Sequence, residues 1–242
     1  MDSVLKVEYK MNINKSKMRI MVCSRIKSGD AEGIRLGNET LKVVKQFCYL
    51  GSKITDDDGS REDIKCRLAV ARKAFLKKRN LLTSSLDLSV RKSFLKVFVW
   101  SVAMYGSETW TINSLDQKRI EAFEVWCCRR MLKIRWVDHI INKEVLNRIG
   151  EKRNLWHNLT RRGDWLAGHV LRHQGITNLV LEGSVEGKNH RGRPRDEYTE
   201  QIQKDVGCSM FLEMKELAQD RVAWRAARNQ SVLKTKTTVL IQ

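Results

Sequence analysis

Three consecutive aspartates, Asp56-Asp57-Asp58, form the densest carboxylate run in the chain. Carboxylates that converge can hold two metal ions for phosphoryl transfer. These three are adjacent in a turn, so their side chains diverge, and the run reads as a solvated turn. Cys127, Cys128, His169 and His173 are the candidate zinc ligands. Two histidines four apart share a helix face, which is a geometry zinc uses. The two cysteines are adjacent, however, and adjacent helical side chains point about 100° apart. One of them, Cys127, could still join His169 and His173. Packed cysteines and phosphate-facing histidines are the preferred reading. No P-loop, dinucleotide glycine motif or Ser/His/Asp arrangement is present.

The remaining candidates are cationic. Lys65, Arg67, Arg72, Lys73, Lys77, Lys78 and Arg79 follow one another without an acidic residue among them. Such a stretch suits contact with a phosphate backbone; a merely solvated helix face is the alternative. Arg191, Gly192, Arg193, Pro194 and Arg195 have the core of an AT-hook. Arginines on an extended strip can enter the narrow A·T minor groove, or the segment can be a flexible basic linker. Trp136, Trp156 and Trp165 lie among Arg135, Arg153, Arg161 and Arg162, and aromatics interleaved with arginine can stack on unpaired bases. Trp100, Trp126 and Trp224 fall on or beside apolar stripes and are assigned to the core.

The whole composition agrees with these cations. The formal net charge is +18 over 242 residues. A body this basic repels itself unless it meets a polyanion, and nucleic acid, RNA or DNA, is the first such partner. A secretory signal and a membrane span are not expected. The longest apolar run, 97–105, is far shorter than the roughly 20 residues a span needs. Six cysteines without a secretory signal point to reduced thiols inside the cell, in nucleus or cytoplasm.

The elements that must position these groups are mainly α-helical. Short strands are expected only in the first 55 residues, at 19–23, 34–37, 41–44 and 47–54, after a helix end at 4–9. Ile64, Leu68, Ala71 and Phe75 then mark one face of a helix. A helix over 89–105 is apolar on most sides, which predicts burial. Ser114 and Gln117 have capping-box spacing and lead into a stripe of Ile120, Phe123, Cys127 and Met131. Asn142 is expected to cap a short helix ending near Gly150. A helix over 155–173 contains Gly163 and Gly168, which weaken it. Residues 183–195 read as a linker, and a last helix spans 211–229, with no clear period after 231. The expected organisation is 1–55, 56–113 and 114–242.

Several blocks together carry a resemblance. Residues 13–21, Ile-Asn-Lys-Ser-Lys-Met-Arg-Ile-Met, and Phe47-Cys48-Tyr49-Leu50-Gly51-Ser52 resemble two successive elements of a reverse transcriptase palm. Tyr105-Gly106-x-Glu108-x-Trp110 and Phe123-Glu124-x-Trp126-Cys127-x-Arg129-Arg130-Met131-Leu132 follow. Gly168-His169-Val170-Leu171-Arg172-His173, Gly192-Arg193-Pro194-Arg195 and Asp220-Arg221-x-x-Trp224-Arg225 complete the order. The chain resembles the C-terminal part of the endonuclease–reverse transcriptase of LINE-type non-LTR retrotransposons. The resemblance implies a palm remnant over 1–55 with a primer-grip-like hairpin, a thumb-like helical unit over 56–113 and a basic helical C-terminal region.

It further implies that Lys17 matches the palm lysine that lies near the incoming triphosphate. Phe47 and Tyr49 would brace the primer. Lys65, Arg72, Lys73, Lys77 and Lys78 would follow the duplex backbone. Met18 stands where the family usually carries threonine. The family's catalytic Tyr-x-Asp-Asp occurs nowhere in these residues, so Mg²⁺ is implied only for the full-length enzyme, with palm and fingers supplied upstream in the same polyprotein. The expected function is therefore binding of RNA template and DNA primer without nucleotidyl transfer. Two alternatives stay open: an active RNA-directed DNA polymerase as part of a longer gene product, and a decayed, non-functional reading frame.

Overall fold

The computed structural model describes residues 14, 17–23, 34–36, 39–56, 59–150, 155–182 and 198–238. They are mostly helical, as expected, and fall into two compact units. Among the described residues the first runs to Glu62 and the second from Asp63 onward. The expected helix end at 4–9, Asp57, Asp58 and the linker 183–195 with Arg191, Arg193 and Arg195 lie outside the described residues.

The first unit holds three two-stranded pairs. Strand β1 (Arg19–Ile20) runs parallel to β4 (Lys42–Val43), and β2 (Arg35–Leu36) pairs antiparallel with β3 (Glu39–Thr40). β5 (Gln46–Tyr49) and β6 (Ser52–Thr55) form a hairpin in which Phe47 faces Ile54 across the ladder. Leu50 and Gly51 both take positive φ, 47° and 84°, which is the turn that matches strand twist. Of this unit's described residues only Leu41 and Thr55 are buried.

The second unit carries the cores. Helix α1 (Arg61–Lys77) buries Ile64, Ala71 and Phe75, in line with its apolar period. The short α2 (Arg79–Leu82) adds Leu82. α3 (Leu88–Leu95) continues through a π-helical segment, Lys96–Trp100, into Ser101–Ala103. This stretch corrects the expectation of burial on most sides. Leu95, Val99 and Ala103 point inward at four-residue steps, while Val97 and Phe98 are exposed. Phe98 is covered in part by Phe94, stacked at 5.9 Å, and by the Lys78 ammonium 5.2 Å above its ring.

α4 (Ser114–Met131) buries all four expected stripe residues. Its cap is Asn113 rather than Ser114, because the Asn113 side chain accepts the Asp116 N–H at 2.9 Å. α5 (Asn142–Ile149) follows a similar correction. Asn142 is its first helical residue, and its side-chain oxygen accepts from Arg129 at 3.1 Å instead of capping. α6 (Leu155–Arg172) starts with an unusual cap: buried Glu124 of α4 accepts the Leu155 N–H at 3.1 Å. One core gathers residues from Ile64 to Leu159, drawing on both sides of position 113.

A second core joins α6, α8 (Tyr198–Val206), α9 (Phe211–Gln219) and α10 (Arg221–Thr238). The short α7 (Ile176–Glu182) follows α6. The single helix expected over 211–229 is two helices. Asp220 breaks it by accepting the N–H groups of Val222 and Ala223 at 2.7 and 3.2 Å, an N-cap for α10. α10 also runs past the expected helix end at 229, to Thr238.

Gly168 is the contact point of this core. A β-carbon there would sit 2.5 Å from Nε1 of Trp224, so only hydrogen lets the indole approach. That Nε1–H donates to the Asp164 carbonyl at 3.1 Å. The glycine that weakens α6 as an isolated helix is what admits Trp224. No helix of the described residues is long and apolar enough to cross a membrane.

Candidate nucleic-acid interface

Burial of Ile64, Ala71 and Phe75 fixes which face α1 turns outward. Lys65, Arg72, Lys73, Lys77 and Lys78 all emerge exposed. Arg67 does not join them. It turns toward Asp63, with Nε 3.9 Å from a carboxylate oxygen, and its guanidinium lies 4.4 Å above the Tyr105 ring. Asp63 is itself buried and accepts the Trp110 indole N–H at 2.9 Å, so Arg67 completes an internal cluster.

The C-terminal half of α1 meets α4 along an aromatic seam. Trp126 packs edge-on to Phe75 at 5.1 Å and stacked on Phe123 at 6.0 Å. Guanidinium groups of Arg72 and Arg130 lie 5.1 and 5.3 Å from its ring, near enough for cation–π attraction. Trp126 is therefore half-buried, with cations over it, rather than a plain core residue.

Beyond Trp126 opens a groove of about 600 Å³. Arg79 and Thr83 line it from α2 and the residues after it, and Arg129 and Arg130 from the end of α4. Lys133, Ile134, Arg135 and Trp136 line it from the loop that follows. Five of the lining residues are cations and none is acidic. Within the described residues Arg79, Arg130 and Lys133 form no ion pair.

The loop is firmly held. Ile134 N–H donates to the Arg129 carbonyl at 2.9 Å and Lys133 N–H to Arg130 at 3.2 Å, with Lys133 at φ 57°. A 3-10 turn, Trp136–Asp138, is closed by the Asp138 carboxylate, which accepts the Arg135 N–H at 2.6 Å. Trp136 stands on this turn with 88% of its surface exposed. Arg129 is committed inward, donating to the Ile140 carbonyl and to Asn142.

No family model matches the chain, and neither does a curated protein or a solved structure.

A second basic cavity, about 280 Å³, lies against α6 and is lined by Met104, Glu108, Asn158, Arg161, Arg162, Trp165 and Arg228. Acids accompany its cations. Arg162 pairs with Glu108 at 3.0 Å and donates to the Met104 carbonyl at 3.1 Å. Behind it Asp164 is buried, and its carboxyl is pushed up to about 8 by burial and then by Asp205, against the pull of Arg228. Burial likewise raises Asp205 to about 6. Arg228 is held below the usual guanidinium range by burial, and by Arg161 and Arg225, against Asp164. Tyr198 ties this region together, its hydroxyl lying 2.9 Å from the Glu108 carbonyl and 3.2 Å from that of Gly163.

The other candidates are dispersed. Lys17 is exposed, as are Phe47 and Tyr49 on β5 at 39% and 58%. Cys127 is buried in the first core, and burial raises its thiol well above the usual range. His169 and His173 are exposed on α6, where His169 stacks on Trp165 at 5.7 Å and His173 lies 4.5 Å from His169. Among the described residues no three His, Cys, Asp or Glu side chains gather to hold a metal ion, so Cys127, His169 and His173 do not form a ligand set. Asp56 is exposed. Trp156 packs against the first core, and Trp165 is 60% exposed.

Arg130, Lys133 and the cation-flanked Trp126 are the residues the sequence reading did not single out for binding. Their signal was present as i, i+4 spacing of Trp126 and Arg130 and as the cluster of cations at 129–135.

Proposed function

We propose that this chain binds nucleic acid through the exposed basic face of α1 and the acid-free groove beside it. The observation that carries the proposal is the groove's lining of five cations with no carboxylate. Arg135 is paired with Asp138 at 3.8 Å and Arg129 is committed to Ile140 and Asn142, but Arg79, Arg130 and Lys133 line the groove with no acid among the described residues to answer them, and a polyanion relieves their repulsion while releasing its own counterions. Lys65, Arg72, Lys73, Lys77 and Lys78 extend the same field along the helix.

The ordered motif blocks support a more specific role, as the C-terminal part of a LINE-type reverse transcriptase that positions RNA template and DNA primer. In that role α1 belongs to the thumb-like unit and the hairpin of β5 and β6 to the primer grip. Mg²⁺ serves two-metal transfer in the family enzyme. Among the described residues the donors for such a pair are not gathered.

Fluorescence anisotropy with labelled oligonucleotides tests binding. Affinity is expected to drop by orders of magnitude between about 50 and 200 mM salt. A flat salt response contradicts the proposal. Primer extension on an RNA template with magnesium tests the division of labour, because incorporation by the purified chain would show that it is more than a binding module.

A further inference from the structure

The basic face of α1 and the groove differ in one respect: the groove has an aromatic platform. Trp136 is 88% exposed, yet its backbone is fixed by the Asp138 closure at 2.6 Å and by the tie of Ile134 to Arg129 at 2.9 Å. A turn that holds an indole in water leaves its flat face open, and an open aromatic face beside cations is what an unpaired base stacks on. Phosphate-seeking side chains line the same groove: Arg79, Arg130 and Lys133.

We infer that this groove takes an unpaired stretch of a nucleic-acid strand, with a base stacked on Trp136 and the adjoining phosphates on Arg79, Arg130 and Lys133. The inference rests on the nucleic-acid reading above and adds to it the strandedness and the contact residue. In a duplex each base is already covered on both faces by its neighbours, so an indole gains nothing there. An unpaired base has a free face, and stacking on an aromatic is tolerant of sequence because every base offers one. The volume, about 600 Å³, lies within the range of about 300–1,000 Å³ typical of small-molecule sites. That suits a nucleotide or two and not the width of a helix. An acidic peptide shares the charge but has no general need of a flat aromatic surface.

The test compares oligo(dT) with a DNA hairpin of the same phosphate number whose stem is fully paired and closed by a base-free ethylene glycol linker, using the full chain at fixed salt. Trp136→Ala is expected to weaken oligo(dT) binding by about tenfold or more and to leave hairpin binding within about twofold. Trp136→Phe is expected to restore most of the loss, since a phenyl ring still stacks. The thermal melt of both variants should match the parent, because the indole is outside the core. Unchanged oligo(dT) affinity in Trp136→Ala overturns the inference while leaving nucleic-acid binding in place. Equal losses on oligo(dT) and hairpin overturn it as well, by showing a charge or folding effect. Trp136-dependent binding of polyglutamate overturns it in favour of an acidic protein partner. Failure of the parent chain to bind either nucleic acid removes the underlying reading too.

Discussion

The groove beside Trp126 and the cavity beside Trp165 are built from the same ingredients, arginines around a tryptophan, yet their charge is spent differently. In the cavity, Arg162 answers Glu108 and Arg228 lies in the field of buried Asp164. In the groove, Arg130 and Lys133 answer no acid among the described residues, and the guanidinium of Arg130 rests over Trp126. Elsewhere cations close helix ends. Arg91 donates to the Met131 carbonyl at 3.0 Å, Lys92 to Ile149 at 3.1 Å and Arg172 to Ala218 at 2.9 Å. A count of basic residues therefore overstates the charge available to a ligand. What matters is which cations the fold leaves without a partner.

Reversing charge should separate the two regions most sharply. Arg79, Arg130 and Lys133 changed together to Glu are expected to cut nucleic-acid affinity by about a thousandfold at low salt. Arg161→Glu with Arg228→Glu should cost about tenfold or less, and anisotropy reads both. Next in size is Trp126→Ala, which removes a ring packed on Phe75 and Phe123. It should cost about 3 kcal/mol of stability in a denaturant melt, whereas Trp165→Ala, at an exposed ring, should cost well under half of that. Gly168→Ala should destabilise by about 1–3 kcal/mol, through the clash with Trp224, and leave oligonucleotide affinity of the folded protein unchanged.

Asp164 gives a pH signature to the cavity alone. Its folded-state pKa, about 8, exceeds the unfolded value of 3.8. Between these values the folded state holds a proton that the unfolded state has released, so stability falls as pH rises from about 4 to about 8. Asp164→Asn should flatten that slope between about pH 6 and 8, where Asp205, raised to about 6, no longer contributes, and should raise the melting temperature at alkaline pH, with the largest gain at and above pH 8. The smallest effect is expected from Glu108→Gln. It weakens a half-exposed ion pair worth about 0.5 kcal/mol and should be barely visible in a melt.

Much of the helical framework was legible because burial follows period. The stripes Ile64, Ala71, Phe75 and Ile120, Phe123, Cys127, Met131 are inside, as spacing predicted. Helix ends were less legible, since a cap depends on which nearby oxygen reaches the free N–H groups. Asn113 displaced Ser114, and Asp220 divided a run whose apolar residues continue across it. Glu124 capping the Leu155 N–H could not be read at all, because the two positions meet only after folding. At the site, the exposed cations of α1 were visible as an acid-free run. The groove was not, because Arg79 reaches it from one helix and Arg130 with Lys133 from the end of another.

The five π-helical residues, Lys96–Trp100, amount to one residue more than an α-helical turn of that path requires. Excising an exposed position there, such as Val97, would let the backbone relax into an uninterrupted α-helix, with Leu95 and Ala103 still facing inward. The segment is thus a place where chain length can change by one without scrambling the interior, a tolerance that the tightly stepped stripe of α4 does not share.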